Sequence, residues 1–143
     1  MRKFVLILTL LAALIAGCTS SQSAQNNGKP GKPISVNGGS YQDVSVNELK
    51  SMLDNKDFTF VNVHIPFEGD IPDTDLSIPY DEISQHLDEL PSDKDAKIVL
   101  YCRSDRMSMI AAEELVRQGY TDVYNLDGGF VAWEQQGNPI EGR

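Results

Sequence analysis

The run Ile98-Val99-Leu100-Tyr101 is apolar at every position, with no alternation between an inner and an outer face. A strand of that kind has to be covered on both sides, as an interior strand of a parallel sheet is covered by helices. The rest of the chain supports this, because strand and helix signals alternate along it. Phe58-Thr59-Phe60-Val61-Asn62-Val63 reads as an earlier strand and Asp122-Val123-Tyr124-Asn125 as the last one. Ser45-Val46-Asn47-Glu48 forms a capping box, with Val46, Leu49 and Leu53 following at helical spacing. Asp81 caps a predicted helix whose inner face is Ile83, Leu87 and Leu90, stopped by Pro91. A further helix is expected to bury Met107, Ile110, Ala111 and Leu115, to expose Glu113, Glu114 and Arg117, and to end at Gly119. Gly128-Gly129 then turns the chain into a short final helix whose Trp133 reads as core. The expected fold class is α/β, with a central, mostly parallel five-stranded sheet and helices on both faces.

Cys102 follows the apolar strand directly and opens Cys102-Arg103-Ser104-Asp105-Arg106-Met107-Ser108, which leads into the helix. Open α/β sheets place ligands at the carboxyl ends of their strands. A thiol in a short strand-to-helix loop lies where unpaired backbone N–H groups converge, and the helix dipole with two nearby arginines favours the thiolate. The competing reading is a buried structural cysteine that behaves as a small hydrophobe.

The start of the chain is a secretory signal. Arg2-Lys3 precede an apolar run from Phe4 to Ile15, too short for a bilayer-spanning helix of about 20 residues, and Ala16-Gly17-Cys18 follow. Residues 1–17 are read as signal peptide and 18–40 as a flexible tether, since Thr19 to Ser40 is rich in Ser, Gln, Asn, Gly and Pro. Residues 41–143 make one domain. The formal net charge is −9, and loss of Arg2 and Lys3 with the signal leaves −11. That charge argues against a nucleic-acid surface and against a polybasic membrane contact. Histidine is limited to His64 and His86 and cysteine to Cys18 and Cys102, without Cys-x-x-Cys spacing, so no metal site is expected. No feature calls for a cofactor, and none specifies an oligomeric state.

The ending Leu14-Ile15-Ala16-Gly17-Cys18 resembles the bacterial lipoprotein signal, in which the cysteine is lipidated and becomes the mature N-terminus. The resemblance implies lipidation at Cys18 and an extracytoplasmic protein held on a cell or outer membrane by its lipid. An ordinary cleaved signal or an uncleaved anchor is the alternative. If Cys18 carries the lipid, Cys102 has no partner within the chain.

Three stretches together resemble the rhodanese-like family of single-domain sulfurtransferases: Ile98 to Ser104 with the loop behind it, Gly119 through Gly129, and Trp133 to Pro139, a W-x-x-x-G-x-P pattern. Gly69-Asp70-Ile71-Pro72 with Ile78-Pro79 is a fainter match to the family's G-H-I-P-G-A-x-x-I-P. The resemblance implies a persulfide relay, in which Cys102 takes a sulfane sulfur from thiosulfate, polysulfide or a protein persulfide and passes it to a thiophilic acceptor. Backbone amides from Arg103 through Ser108 would cradle the anionic sulfur, so Arg103, Ser104, Asp105, Arg106, Met107 and Ser108 are the substrate-binding candidates. Arg106 and Ser108 would meet a donor's sulfonate, while Arg103 has the weaker claim and Met107 also reads as core.

The chain departs from the family at four places. Asp105 stands where glycine is common; aspartate can reach left-handed backbone angles, and its carboxylate is expected to add a negative charge near the thiolate and any anionic donor unless it pairs with Arg103 or Arg106 or points into solvent. Asn62-Val63-His64 replaces Asp-x-Arg, with His64 read as packing or hydrogen bonding. Asp70 and Asp73 replace a histidine and a glycine, and are expected to alter the rim and charge of the pocket. A cysteine phosphatase is a second enzyme class, but it needs arginine where this loop has Ser108. A lipid-tethered, non-catalytic binding or sulfur-sensing module is the third reading, supported by Asp105 beside the cysteine and by the secreted location.

Overall fold

The computed structural model describes residues 28–143. The signal segment, the lipidation candidate Cys18 and the tether up to residue 27 lie outside the described residues. Within them the strands are β1 (Lys32–Val36), β2 (Gly39–Val44), β3 (Thr59–Asn62), β4 (Leu76–Ser77), β5 (Ile98–Tyr101) and β6 (Val123–Leu126). They form one sheet in the order β1-β2-β6-β5-β3-β4, antiparallel only between β1 and β2. The mostly parallel sheet expected from Ile98–Tyr101 is therefore present, with six strands instead of five.

The additional strand falls inside the stretch read as tether. Ile34 and Val36 alternate, pack against the core, and pair through the hairpin with Tyr41 and Gly39. Tyr41 is fully buried, and a hairpin of this kind takes its hydrogen bonds from the strand that follows. Scarcity of large apolar residues concealed a two-residue period. The folded unit therefore begins ahead of Tyr41.

Three α-helices cover the sheet: α1 (Val46–Leu53), α2 (Arg106–Arg117) and α3 (Gly129–Gln135). The alternation of β5 divides the core into two halves. Ile98 and Leu100 pack with Ala111, Ala112, Leu115 and Val116 of α2, while Val99 and Tyr101 pack with Val46 and Leu49 of α1 and with Phe130 and Trp133 of α3. All four β5 residues are buried, as a strand covered on both faces requires. The capping box at Ser45 and Glu48 is formed at the start of α1.

Two helix expectations are corrected. The segment after Asp81 is a single 3-10 turn at Ile83–Gln85, followed by a separate i→i+3 turn from Glu89 N to His86 O. Ile83 and Leu90 are buried as expected, but Asp88 and Glu89 would sit at the negative end of an α-helix and oppose its dipole. On α2 the inward residues are Ser108, Ala111, Ala112, Leu115 and Val116, and Ile110 is exposed. Ser108 is tied to the residues at the strand end, and that sets the rotation of the helix so that Ile110 faces out.

Candidate functional site around Cys102

The strand-loop-helix unit places Cys102 at the carboxyl end of β5, buried and as a free thiol. Its Sγ accepts the Asp105 N–H at 3.2 Å and lies 3.3 Å from the Ser108 hydroxyl. The same hydroxyl is 2.9 Å from Asp105 O, and its single proton serves one acceptor at a time. A negative sulfur would draw that proton to itself, so the site is built to stabilise charge on Sγ.

The loop is clamped from behind by the start of α3. Phe130 N–H donates to Cys102 O at 3.0 Å and Val131 N–H to Arg103 O at 3.1 Å. Such close approach requires glycine at 129, because a Cβ there would lie 2.3 Å from Cys102 O and 2.6 Å from Arg103 O. The Gly128-Gly129 pair is thus a device for seating the cysteine loop.

Asp105 adopts φ 108 and ψ −56 as the residue preceding α2. The positive φ at the family's glycine position is as expected, but the angles lie outside the left-handed helical well, where a non-glycine residue stores about 1–3 kcal/mol. The carboxylate takes neither of the two exceptions, since it pairs with no arginine among the described residues and does not face open solvent. Oδ1 accepts the Gly128 N–H at 2.7 Å. Burial raises its pKa above the ordinary aspartate value, the Gly128 N–H opposes that rise, and Asp127 and Asp43 add to it. Asp105 therefore ties the cysteine loop to the Gly-Gly turn, while its amide, not its side chain, meets the sulfur.

A cavity of about 230 Å³ opens over Cys102, lined by His64, Cys102, Arg103, Ser104, Arg106 and Met107. Four of the six substrate-binding candidates, Arg103, Ser104, Arg106 and Met107, thus reach it together. Asp105 and Ser108 do not; Ser108 is fully buried and contacts the sulfur from within the fold, which corrects the expectation that it meets the donor's sulfonate. Of the cradle amides, Asp105 N–H donates to Sγ in this state. Arg106 makes no ion pair among the described residues, whereas Arg103 Nη1 lies 3.3 Å from Glu68 Oε1.

The wall opposite the loop was not legible as part of the site. His64, 8% exposed, places Nε2 2.6 Å from Glu68 Oε2 and its ring edge-on to Phe130. Its Nδ1 is buried without a partner among the described residues. The hydrogen-bonding role expected for His64 is present, at a cavity wall. The contact spans a loop with a cis Ile65-Pro66 bond, so no helical spacing could have signalled it. Asn62 and Asp70, two further departures, answer each other: Asn62 Nδ2 donates to Asp70 Oδ1 at 2.8 Å, and Tyr101 OH donates to the same oxygen at 3.1 Å. They belong to a network beneath β5 and do not line the cavity, contrary to the expected effect of Asp70 on the rim. Asp73 takes φ 67, supplying the left-handed turn without glycine. Among the described residues no three His, Cys, Asp or Glu side chains converge as a metal site, and no helix is long and apolar enough to cross a membrane.

Residues 45–136 match the family model for the rhodanese-like domain. A sulfurtransferase of Allochromatium vinosum is 39% identical over 104 residues, covering 66% of this chain and 94% of that protein. The thiosulfate sulfurtransferase GlpE of Pseudoalteromonas translucida is 31% identical over 97 residues, covering 66% and 90%. Among solved structures, the Alr3790 protein of Anabaena sp. superposes with a TM-score of 0.61 at 26% identity, covering 69% of this chain and 81% of that one. The strand-loop-helix cysteine, the Gly-Gly clamp behind it and the Trp133 Nε1–Pro139 O hydrogen bond of the closing motif all fall within or beside the matched span. The chain belongs to the rhodanese-like domain family, as a rhodanese-type sulfurtransferase.

Proposed function

We propose that Cys102 is the nucleophile and sulfur carrier of this sulfurtransferase. The observation that carries the reading is the pair of hydrogen-bond donors on Sγ, Asp105 N–H and Ser108 Oγ–H, at the base of the Arg103–Arg106 cavity. With thiosulfate as donor, the Cys102 thiolate attacks the outer sulfur, the new S–S bond forms, and the donor's S–S bond breaks with its electron pair leaving on sulfite. With polysulfide or a persulfide the leaving group is the shortened polysulfide or the thiolate. The persulfide Cys102–S–S⁻ then gives its outer sulfur to a thiophilic acceptor, which forms a bond to that sulfur and returns the thiolate. The Asp105 amide and Ser108 hydroxyl supply preorganised stabilisation of the sulfur charge in both steps.

The non-catalytic binding module is the weaker reading, because the Asp105 carboxylate that favoured it is turned onto the Gly128 N–H. The phosphatase reading is weaker still, since Ser108 occupies the place of the phosphate-clamping arginine and is buried under the sulfur. The lipoprotein-like start supports an extracytoplasmic enzyme held at a membrane by lipid on Cys18, with a small sulfur-containing anion or a protein persulfide as partner. The test is thiocyanate formation from cyanide with thiosulfate and with polysulfide, using the protein and its Cys102→Ser variant. Loss of transfer with an unchanged circular dichroism spectrum is expected; transfer retained without the thiol would overturn the assignment.

A further inference from the structure

The cavity carries two guanidinium groups, but they are not equivalent. Arg106 is exposed and without an ion pair among the described residues. Arg103 is opposed by Glu68, whose two carboxylate oxygens lie 3.3 and 3.4 Å from Nη1. An exposed pair of this kind is ordinarily loose, because two long side chains wander. Here one partner is held. His64, buried and packed edge-on to Phe130, fixes Glu68 through its 2.6 Å contact, and Arg143 Nε–H donates to the Glu68 backbone oxygen at 3.0 Å. The carboxylate therefore stands at a set place beside the cavity without lining it. One of the two positive charges available to an anionic donor is partly offset, in a protein already carrying a net charge of −9.

We infer that Glu68, held by His64, is a specificity-determining residue that biases the Cys102 site against dianionic donors and toward donors carrying a single charge, such as alkyl persulfides. The inference rests on the sulfur-transfer reading and concerns its first step, in which the donor's charge must enter the cavity before its outer sulfur reaches Sγ. Thiosulfate brings two charges and meets one free guanidinium. An alkyl persulfide anion brings one and is matched by Arg106 alone. Glu68 does not line the cavity; it acts through the charge it presents to Arg103 and to the cavity.

The experiment measures the second-order rate of Cys102 persulfide formation with thiosulfate and with 2-hydroxyethyl persulfide, in the protein and in Glu68→Gln. The amide keeps the side chain's shape and removes its charge. The thiosulfate-to-persulfide rate ratio should rise roughly three- to tenfold, through a lower apparent KM for thiosulfate, and the rise should shrink as ionic strength increases. Arg106→Gln should move the ratio the opposite way. An unchanged ratio in Glu68→Gln, with both donors still loading Cys102, would overturn the role of Glu68 alone. Absence of loading from either donor in every form, the natural protein included, would overturn the sulfur-transfer reading and this inference with it.

Discussion

Replacing Gly129 with alanine should collapse the cysteine loop, and the structure sets the size of the effect. The new Cβ would lie 2.3 Å from Cys102 O and 2.6 Å from both the carbonyl carbon and oxygen of Arg103. All three are backbone atoms, so no side chain can swing aside. The first contact needs about 0.7 Å of movement to reach even 3.0 Å. That movement strains the Phe130 N–Cys102 O and Val131 N–Arg103 O hydrogen bonds, each with a net worth of about 0.5–1.5 kcal/mol. The φ of +57 adds about 1–2 kcal/mol for a residue with a Cβ, and overpacking adds about 1–3 kcal/mol. A destabilisation of about 3–5 kcal/mol is expected, a large share of the ~5–15 kcal/mol that such a domain possesses. Gly119→Ala is the internal control: φ is 91, yet nothing lies within 4 Å of the new Cβ, so only the backbone strain remains. Urea denaturation of both variants separates overlap from strain. Reaction of Cys102 with a thiol reagent below the unfolding transition reports the loop. If Gly129→Ala were no less stable than Gly119→Ala and reacted at the natural rate, the clamp would not be seating the cysteine.

Asp105→Asn tests the half-buried carboxylate without changing its shape or its ability to accept the Gly128 N–H. Because burial raises the Asp105 pKa, the native state binds the proton more tightly than the unfolded chain, and ionisation opposes folding above the raised value. The variant should therefore exceed the natural protein in urea midpoint at pH 7, and the gap should close as pH falls toward the ordinary value of 3.8; a natural protein that is the more stable at pH 7 would contradict this. Tyr101→Phe removes the hydroxyl that accepts the Ile71 N–H at 3.0 Å and donates to Asp70. A loss of about 1–3 kcal/mol in urea unfolding is expected, with Cys102 loading kept, since the network lies beneath the strand and away from the cavity.

The interior of the fold could be read from the chain because β5 is apolar without alternation and is followed by a loop whose residue types carry a definite geometry. What could not be read were features that depend on partners distant in sequence. β1 is weakly apolar, and its Ile34 and Val36 become a strand only beside β2, where Tyr41 is fully buried. The helix expected after Asp81 had the right inward residues, Ile83 and Leu90, but not the charge pattern to continue past one turn. At the site, Cys102, Arg103, Ser104, Arg106 and Met107 were brought together as the loop implied. The direction of the Asp105 carboxylate was not legible, because its acceptor role is set by Gly128, 23 residues later. Nor was the pairing of Glu68 with Arg103, which spans 35 residues. Asn62 and Asp70 looked like separate losses and proved to be one hydrogen-bonded exchange.

The most direct measurement is the intact mass of the purified protein after exposure to thiosulfate and, separately, to polysulfide, with Cys102→Ser alongside. One added sulfur on the natural protein alone, removed by cyanide, is the expected result and would identify Cys102 as the carrier. No added sulfur from either donor, with Cys102 reduced and the protein folded, would contradict the persulfide chemistry and leave the binding module as the better description.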